Sequence, residues 1–252
     1  MDATATAQER TPGPGGLGAV VSAVIPCLEE EAAIAGVVTS VLQQGVAEVI
    51  VVDGGSRDAT AARAAAAGAR VVVERRRGYG RAVQAGIAAA RGDAEILLFL
   101  DGDGSDRTEF IPLLIAPIVA RRAAFVQGCR LAGEREPGSL SLAQIAAGRV
   151  AGLLLRLVYG ARFGDISPYR TIRRDALDRL GMRDATYGWN LEMLMRAAAA
   201  GIAVIEIPVG QRRRAGGVSK VSGNPIVAVR AAATIVATFI RLALSLRRVR
   251  AR

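Results

Sequence analysis

Short apolar runs alternate with longer amphipathic ones through the first hundred residues. The runs 20–25 (VVSAVI), 48–52 (EVIVV), 70–74 (RVVVE) and 95–100 (EILLFL) are rich in valine, isoleucine and leucine. Between them, 32–44, 59–67 and 80–91 have helical composition. Short β-rich runs separated by helices predict βαβ units and a parallel sheet, because a right-handed crossover is needed to return each strand. Ligands of such sheets bind beyond the carboxyl ends of the strands. Three polar stretches fall at that edge: PCLEEE (26–31), DGGSRDAT (53–60) and DGDGSD (101–106).

The second half has a different pattern. Residues 139–159 and 226–246 are apolar but carry sparse arginines: Arg149 and Arg156 in the first, Arg230 and Arg241 in the second. The arginines argue against a membrane-spanning helix. Amphipathic helices that lie on a membrane or pack on the core fit better. The chain ends in RRVRAR, which suits an anionic surface. No internal repeat and no second strand–helix alternation is visible. The expected division is a disordered leader (1–18), one α/β domain (19–224) and a basic amphipathic helix at the membrane surface (225–252). The leader lacks a basic region followed by an apolar one, so it does not read as a signal peptide.

Composition narrows the chemistry. The chain has 252 residues, ample for a core, and 51% are hydrophobic. Cys27 and Cys129 lie far apart and make no metal-ligand spacing, which points to a reducing cytosol. Net charge is +10, and of the 33 basic residues only Lys220 is lysine. That balance suits an anionic partner: nucleotide phosphates, nucleic acid or an acidic membrane. There is no histidine, which excludes histidine triads, histidine bases and histidine metal ligands.

DGDGSD places three carboxylates within six residues at a strand end. Like charges that close repel unless a cation joins them. Magnesium or manganese often binds through one or two carboxylates plus substrate phosphates, and Asp101 and Asp103 lie two apart, where glycines let the backbone bend. The other reading is a solvated acidic turn. An EF-hand loop does not fit, since no glycine stands at its sixth position and no glutamate at its twelfth. RRRGYGRAV (75–83) reads as a turn entering a helix N-terminus, a phosphate neighbourhood or a solvated basic turn. It matches neither the dinucleotide nor the P-loop pattern. GQRRRAGGVSK (210–220) is a cationic loop suited to a diphosphate, through bidentate guanidinium groups and the point charge of Lys220. Nonspecific nucleic-acid binding is the competing reading, but neither interleaved aromatics nor a reading helix accompanies the loop.

The ordered set PCLEEE, VVDGGSRDAT, RGYG, FLDGDGSD, then GDISPYRTIRRDAL, YGWNLEMLMRAAAAG and IEIPVGQRRRAGGVSK, resembles the family 2 glycosyltransferases of the GT-A fold. Within them it is similar to the dolichyl-phosphate mannose synthase branch and its bacterial polyprenyl-phosphate relatives. The likeness spans about residues 20–224. It implies a Rossmann-like, mostly parallel sheet flanked by helices, with added amphipathic helices. It further implies that Pro26, Leu28, Glu30 and Asp53 bind the nucleotide, and that Asp101 and Asp103 hold Mg2+ or Mn2+ on the donor diphosphate. Ser105 falls where some relatives carry a glutamine ligand. Lys220 and Arg214 would meet the diphosphate, and Arg130 and Arg170 an acceptor phosphate. Asp165 would be the first candidate base if the acceptor were a hydroxyl. For Trp189 a core position, and for Glu192 a structural ion pair, are the readings of their helix.

The expected activity is inverting transfer of a sugar from a GDP- or UDP-sugar to a polyprenyl phosphate at the inner, cytoplasmic face of the cell membrane. A soluble hydroxyl acceptor is the alternative within enzymes. A non-catalytic nucleotide or nucleic-acid binding protein is the alternative outside them.

Overall fold

Strands form where the apolar runs end in turn residues, and the computed structural model describes residues 16–215 and 225–250. β1 (Val21–Cys27), β2 (Glu48–Asp53), β3 (Arg70–Val73) and β4 (Ile96–Phe99) coincide closely with the four runs. α1 (Ile34–Gln43), α2 (Thr60–Ala66) and α3 (Tyr79–Ala89) connect them. Then follow α4 (Ile111–Val119), β5 (Phe125–Cys129), α5 (Leu142–Tyr159), β6 (Arg170–Arg173), α6 (Arg174–Leu180), α7 (Trp189–Ala199), β7 (Val204–Pro208) and α8 (Pro225–Arg250). The sheet order is β3-β2-β1-β4-β6-β5-β7. All neighbours are parallel except β6, which runs antiparallel between β4 and β5. The carboxyl ends of β1, β2 and β4 therefore share one edge, and Cys27 pairs in register with Asp53 there.

Alternation along the strands divides the core into two layers. Val21, Ala23, Ile25, Ile96, Leu98 and Leu100 face α1 and α4, while Val24, Leu97 and Phe99 face α3, α5 and α7. Gly86 lets α3 press onto the sheet: a Cβ there would lie 2.3 Å from Val24 Cγ1. Helix α8 is not a detached appendage. It packs along α5 and α7, and its Phe239 and Leu242 are buried in the second layer. Leu17, in the stretch expected to be a disordered leader, packs against the first layer. The rest of that leader, residues 1–15, lies outside the described residues, as does Lys220.

α5 has a mean hydropathy of 1.4 over 18 residues, long and apolar enough by length and composition to cross a membrane. Its Gly148, Ala151, Gly152 and Leu155 are buried, with Gly152 pressed against Phe163. Leu142, Leu153, Leu157 and Val158 are exposed, as are Arg149 and Arg156. The helix is thus two-faced, packed on one side and apolar with basic residues on the other.

Candidate active site

The loop after β4 folds back under its own carboxylates. Gly102 is required there, because a Cβ would lie 2.2 Å from Cys27 Sγ, and Gly104 adopts a left-handed φ of 76°. Asp103 Oδ1 accepts the Ser105 N–H at 2.9 Å, and Asp106 Oδ2 accepts the Asp101 N–H at 3.0 Å. Asp103, Ser105 and Asp106 are buried. Burial first, then the charge of Asp103, raises the pKa of Asp101; burial first, then the charge of Asp101, raises that of Asp106. The Cys27 thiol beneath is pushed up by burial and by four surrounding carboxylates, Glu30, Asp101, Asp53 and Asp103. One place in the fold therefore gathers acids from three separate loops.

Cations close this acidic pocket from the other side. Arg214 Nε lies 2.9 Å from Asp103 Oδ2. Arg130 and Arg170 are near enough to oppose the rise in the Asp101 pKa. Arg130 grips Asp165 through Nε at 2.8 Å and Nη2 at 3.0 Å, and its backbone N–H reaches the same carboxylate at 3.1 Å.

The first two loops are laced together. Asp53 accepts from the backbone of Gly55 and Ser56 and from Ser56 Oγ, so its carboxylate shapes the turn at the end of β2. Glu29 accepts the Arg57 N–H and Glu31 the Ala59 N–H. In return, the backbone of Glu29 and Glu30 donates to Ser56 Oγ and Thr60 Oγ1. Leu28 remains 47% exposed beside this lattice, an apolar surface at the strand edge.

The donor set suits a hard divalent cation. Asp101 and Asp103 offer carboxylate oxygens on one loop, burial and the charge of Asp103 raise the Asp101 pKa against the opposing arginines, and a guanidinium stands on Asp103. Magnesium and manganese accept one or two carboxylates and complete their shell with phosphate oxygens and water. Among the described residues no cluster of three or more His, Cys, Asp or Glu side chains forms a protein-only metal cage.

The profile of the family described as Glycosyl transferase family 2 matches residues 22–181. The chain belongs to glycosyl transferase family 2. An uncharacterized glycosyltransferase of Mycobacterium tuberculosis is 40% identical over 209 residues, covering 82% of this chain and 92% of that one. A dolichyl-phosphate hexose transferase of Haloferax volcanii is 31% identical over 201 residues, covering 78% and 84%. Among solved structures, glucosyl-3-phosphoglycerate synthase from Mycobacterium tuberculosis, in complex with Mn2+, uridine diphosphate and glucosyl-3-phosphoglycerate, superposes with a TM-score of 0.69. Its identity is 24%, over 91% of this chain and 84% of that one, a likeness of fold. The seven-stranded sheet is accordingly a GT-A fold.

Two positions expected in this family 2 site have other work. Arg170 is fully buried; its guanidinium donates to the carbonyls of Ser167 and Asn190 and lies over the Phe125 ring at 5.7 Å. Burial lowers its pKa to about 10. It ties β6 to α7 and has no surface with which to meet an acceptor. Asp165 is equally enclosed. Burial would raise its pKa, but the Arg130 guanidinium outweighs that and holds it below the ordinary range. A buried, paired carboxylate of low pKa is a poor base, so the candidate role for Asp165 gives way to that of fixing Arg130.

Asp106 closes the DGDGSD motif, where its residue type alone assigns it no role. Its position five residues past Asp101, with its carboxylate on the Asp101 N–H, makes it the brace of the loop. Gln211 bridges to Asp106 and to Arg135 and draws the arginine-rich segment across the site. Trp189 is a core residue, and Glu192 pairs with Arg196 at 2.7 Å, both as read.

Proposed function

We propose that the chain transfers a hexose from a uridine diphosphate sugar to a polyprenyl phosphate, with inversion, at the cytosolic face of the membrane. The observation that carries the donor half is the convergence of Glu30, Asp53, Asp101 and Asp103 around the ends of β1, β2 and β4, with Arg214 opposite. Pro26, Leu28, Glu30 and Asp53 would border the nucleoside. Asp101 and Asp103 would hold Mg2+ or Mn2+, which when bound neutralises charge developing on the leaving diphosphate. Arg214 and Lys220 would add preorganised positive charge at that diphosphate. Uridine as the base is supported by the uridine diphosphate in the fold neighbour's crystals.

The acceptor oxygen would attack the anomeric carbon as the bond to the diphosphate breaks. A phosphate monoester has a second pKa of about 6, so its oxygen is already ionised at neutral pH and needs no strong base. The locking of Asp165 to Arg130 is consistent with that acceptor and less so with a hydroxyl. Arg130, 7% exposed and gripped by Asp165 through Nε and Nη2, would orient the acceptor phosphate through the guanidinium N–H groups that Asp165 leaves. The apolar, basic face of α5 and the relative that acts on dolichyl phosphate support a lipid carrier. A soluble phosphorylated acceptor is the second reading, favoured by the fold neighbour's complex with a phosphoglycerate product.

The experiment is transfer of radiolabelled sugar from UDP-glucose and GDP-mannose to polyprenyl phosphate in detergent and, separately, to 3-phosphoglycerate. Lipid-linked product that disappears in EDTA and with Asp103→Asn is expected, with the variant still folded by circular dichroism. Product on phosphoglycerate alone would establish the soluble acceptor, and full activity in EDTA would remove the metal.

A further inference from the structure

Asp103 already carries a cation of the protein's own. Arg214 Nε stands 2.9 Å from Oδ2, while Oδ1 is taken by the Ser105 N–H. The arginine is brought there by a fastened backbone. Arg212 N–H donates to Ser105 O and Ala215 N–H to Asp103 O, at 2.9 and 3.1 Å. Gln211 exchanges backbone bonds with Glu134 and Glu136, and the Arg213 backbone N–H meets Glu136. Residues 211–215 thus lie along the carboxylate loop. Asp103 is 3% exposed beneath them, whereas the Arg214 side chain is 41% exposed. The anion is fixed and enclosed; the cation is long, flexible and half in water.

We infer that Arg214 is an exchangeable stand-in for the divalent cation of the donor site, an inference that rests on the reading of Asp101 and Asp103 as metal ligands. A guanidinium and a divalent cation cannot share one carboxylate oxygen without strong repulsion. A buried carboxylate with no cation is costly, so one or the other must face Asp103. When a divalent cation takes Oδ2, Arg214 is released with its fork of donors. That fork matches phosphate oxygens, and the diphosphate of the donor is the adjacent anion. Metal alone must displace the arginine with nothing to receive it. Metal with a nucleotide diphosphate gives the displaced guanidinium a new partner. The two ligands therefore favour each other, by a coupling that is reciprocal. The same side chain offsets the charge of Asp103 before the donor arrives and moves charge onto the leaving group afterwards.

The test is Mn2+ binding to the purified full-length protein, read from the free-Mn2+ paramagnetic resonance signal, first without nucleotide and then with UDP. Arg214→Ala and Arg214→Gln should bind Mn2+ alone about tenfold more tightly than the parent, within the ordinary range of coupling between sites. Arg214→Lys, which keeps the charge, should stay near the parent. Adding UDP should tighten Mn2+ binding in the parent more than in Arg214→Ala. Mn2+ should raise the melting temperature of Arg214→Ala more than that of the parent, which loss of a purely structural arginine would not produce. If the neutral variants bind Mn2+ no more tightly than the parent, the exchange is wrong while the metal site stands. If the parent binds no Mn2+ even with UDP, the metal site itself fails and the exchange with it. Should Arg214→Ala not fold, the comparison of Gln and Lys with the parent decides the same question.

Discussion

Asp165 and Arg130 show how one residue's surroundings overrule what its type suggests. A carboxylate in a GDISPYR loop could serve as a base, a metal ligand or an anchor. Its 1% exposure and bidentate grip on Arg130 make it an anchor. Removing one partner of such a pair leaves a buried charge uncompensated and typically costs about 3–5 kcal/mol. Asp165→Asn should lower the urea midpoint accordingly. The pair also sets an acid limb. The folded pKa of Asp165 lies below its unfolded value, so the stabilisation is whole above the unfolded carboxylate range of about 3.9 and fades as pH falls through the depressed folded value. Below about pH 4 the parent should lose stability more steeply than Asp165→Asn; parallel curves would show that the pair contributes nothing. The sequence could show that Asp101 and Asp103 stand together just past a strand end, because their spacing and position are local. It could not separate Arg170, bonded to carbonyls inside the sheet, from an arginine facing a ligand, because both look alike until the chain closes around them.

At the level of elements, what could be read in advance was what local pattern determines. The first four strands and their helices are apolar runs bounded by turn residues, and they appear nearly where expected. β6 was invisible for the opposite reason: RTIR begins and ends in arginine, and only pairing between β4 and β5 makes it a strand. β5 and β7 carry Gln127 and Glu206, which the strands join in a hydrogen bond at 2.9 Å. α3 offers a direct test of packing. A methyl at Gly86 would meet Val24 and Val52 at 2.3 and 2.9 Å, both within the sheet that carries the nucleotide-side loops. Gly86→Ala should therefore cost about 1–3 kcal/mol by thermal or urea unfolding, as overpacked cores do. Gly92→Ala, whose Cβ would have nothing within 4 Å, should stay within about 0.5 kcal/mol of the parent. Equal effects at the two sites would mean that α3 does not press on the sheet.

Across the whole molecule, charge and apolar surface share one side. α5 and α8 pack together, and their outward residues include Leu153, Leu157 and Val158 on one and Ile240 and Leu244 on the other. Exposed Arg149 and Arg156 lie among them, in a chain of net charge +10. Scattered apolar side chains at a surface are ordinary, but two adjoining helices that both expose them beside arginines make an amphipathic face. Such a face should bind a bilayer by two separable forces. The electrostatic part depends on anionic lipid and is screened within about 10 Å at 0.1 M salt. The apolar part survives salt and scales with buried side-chain area, with about 1.5–3 kcal/mol for each leucine that becomes fully buried. Flotation with vesicles should therefore show binding to phosphatidylglycerol-containing bilayers that falls at high salt without vanishing. Leu153→Asp with Leu157→Asp should remove most of what remains at high salt, while UDP binding, proposed at the ends of β1, β2 and β4, is unchanged. Equal binding to neutral and anionic vesicles, or no loss in the double variant, would mean that this face has another use and that the acceptor reaches Arg130 from water.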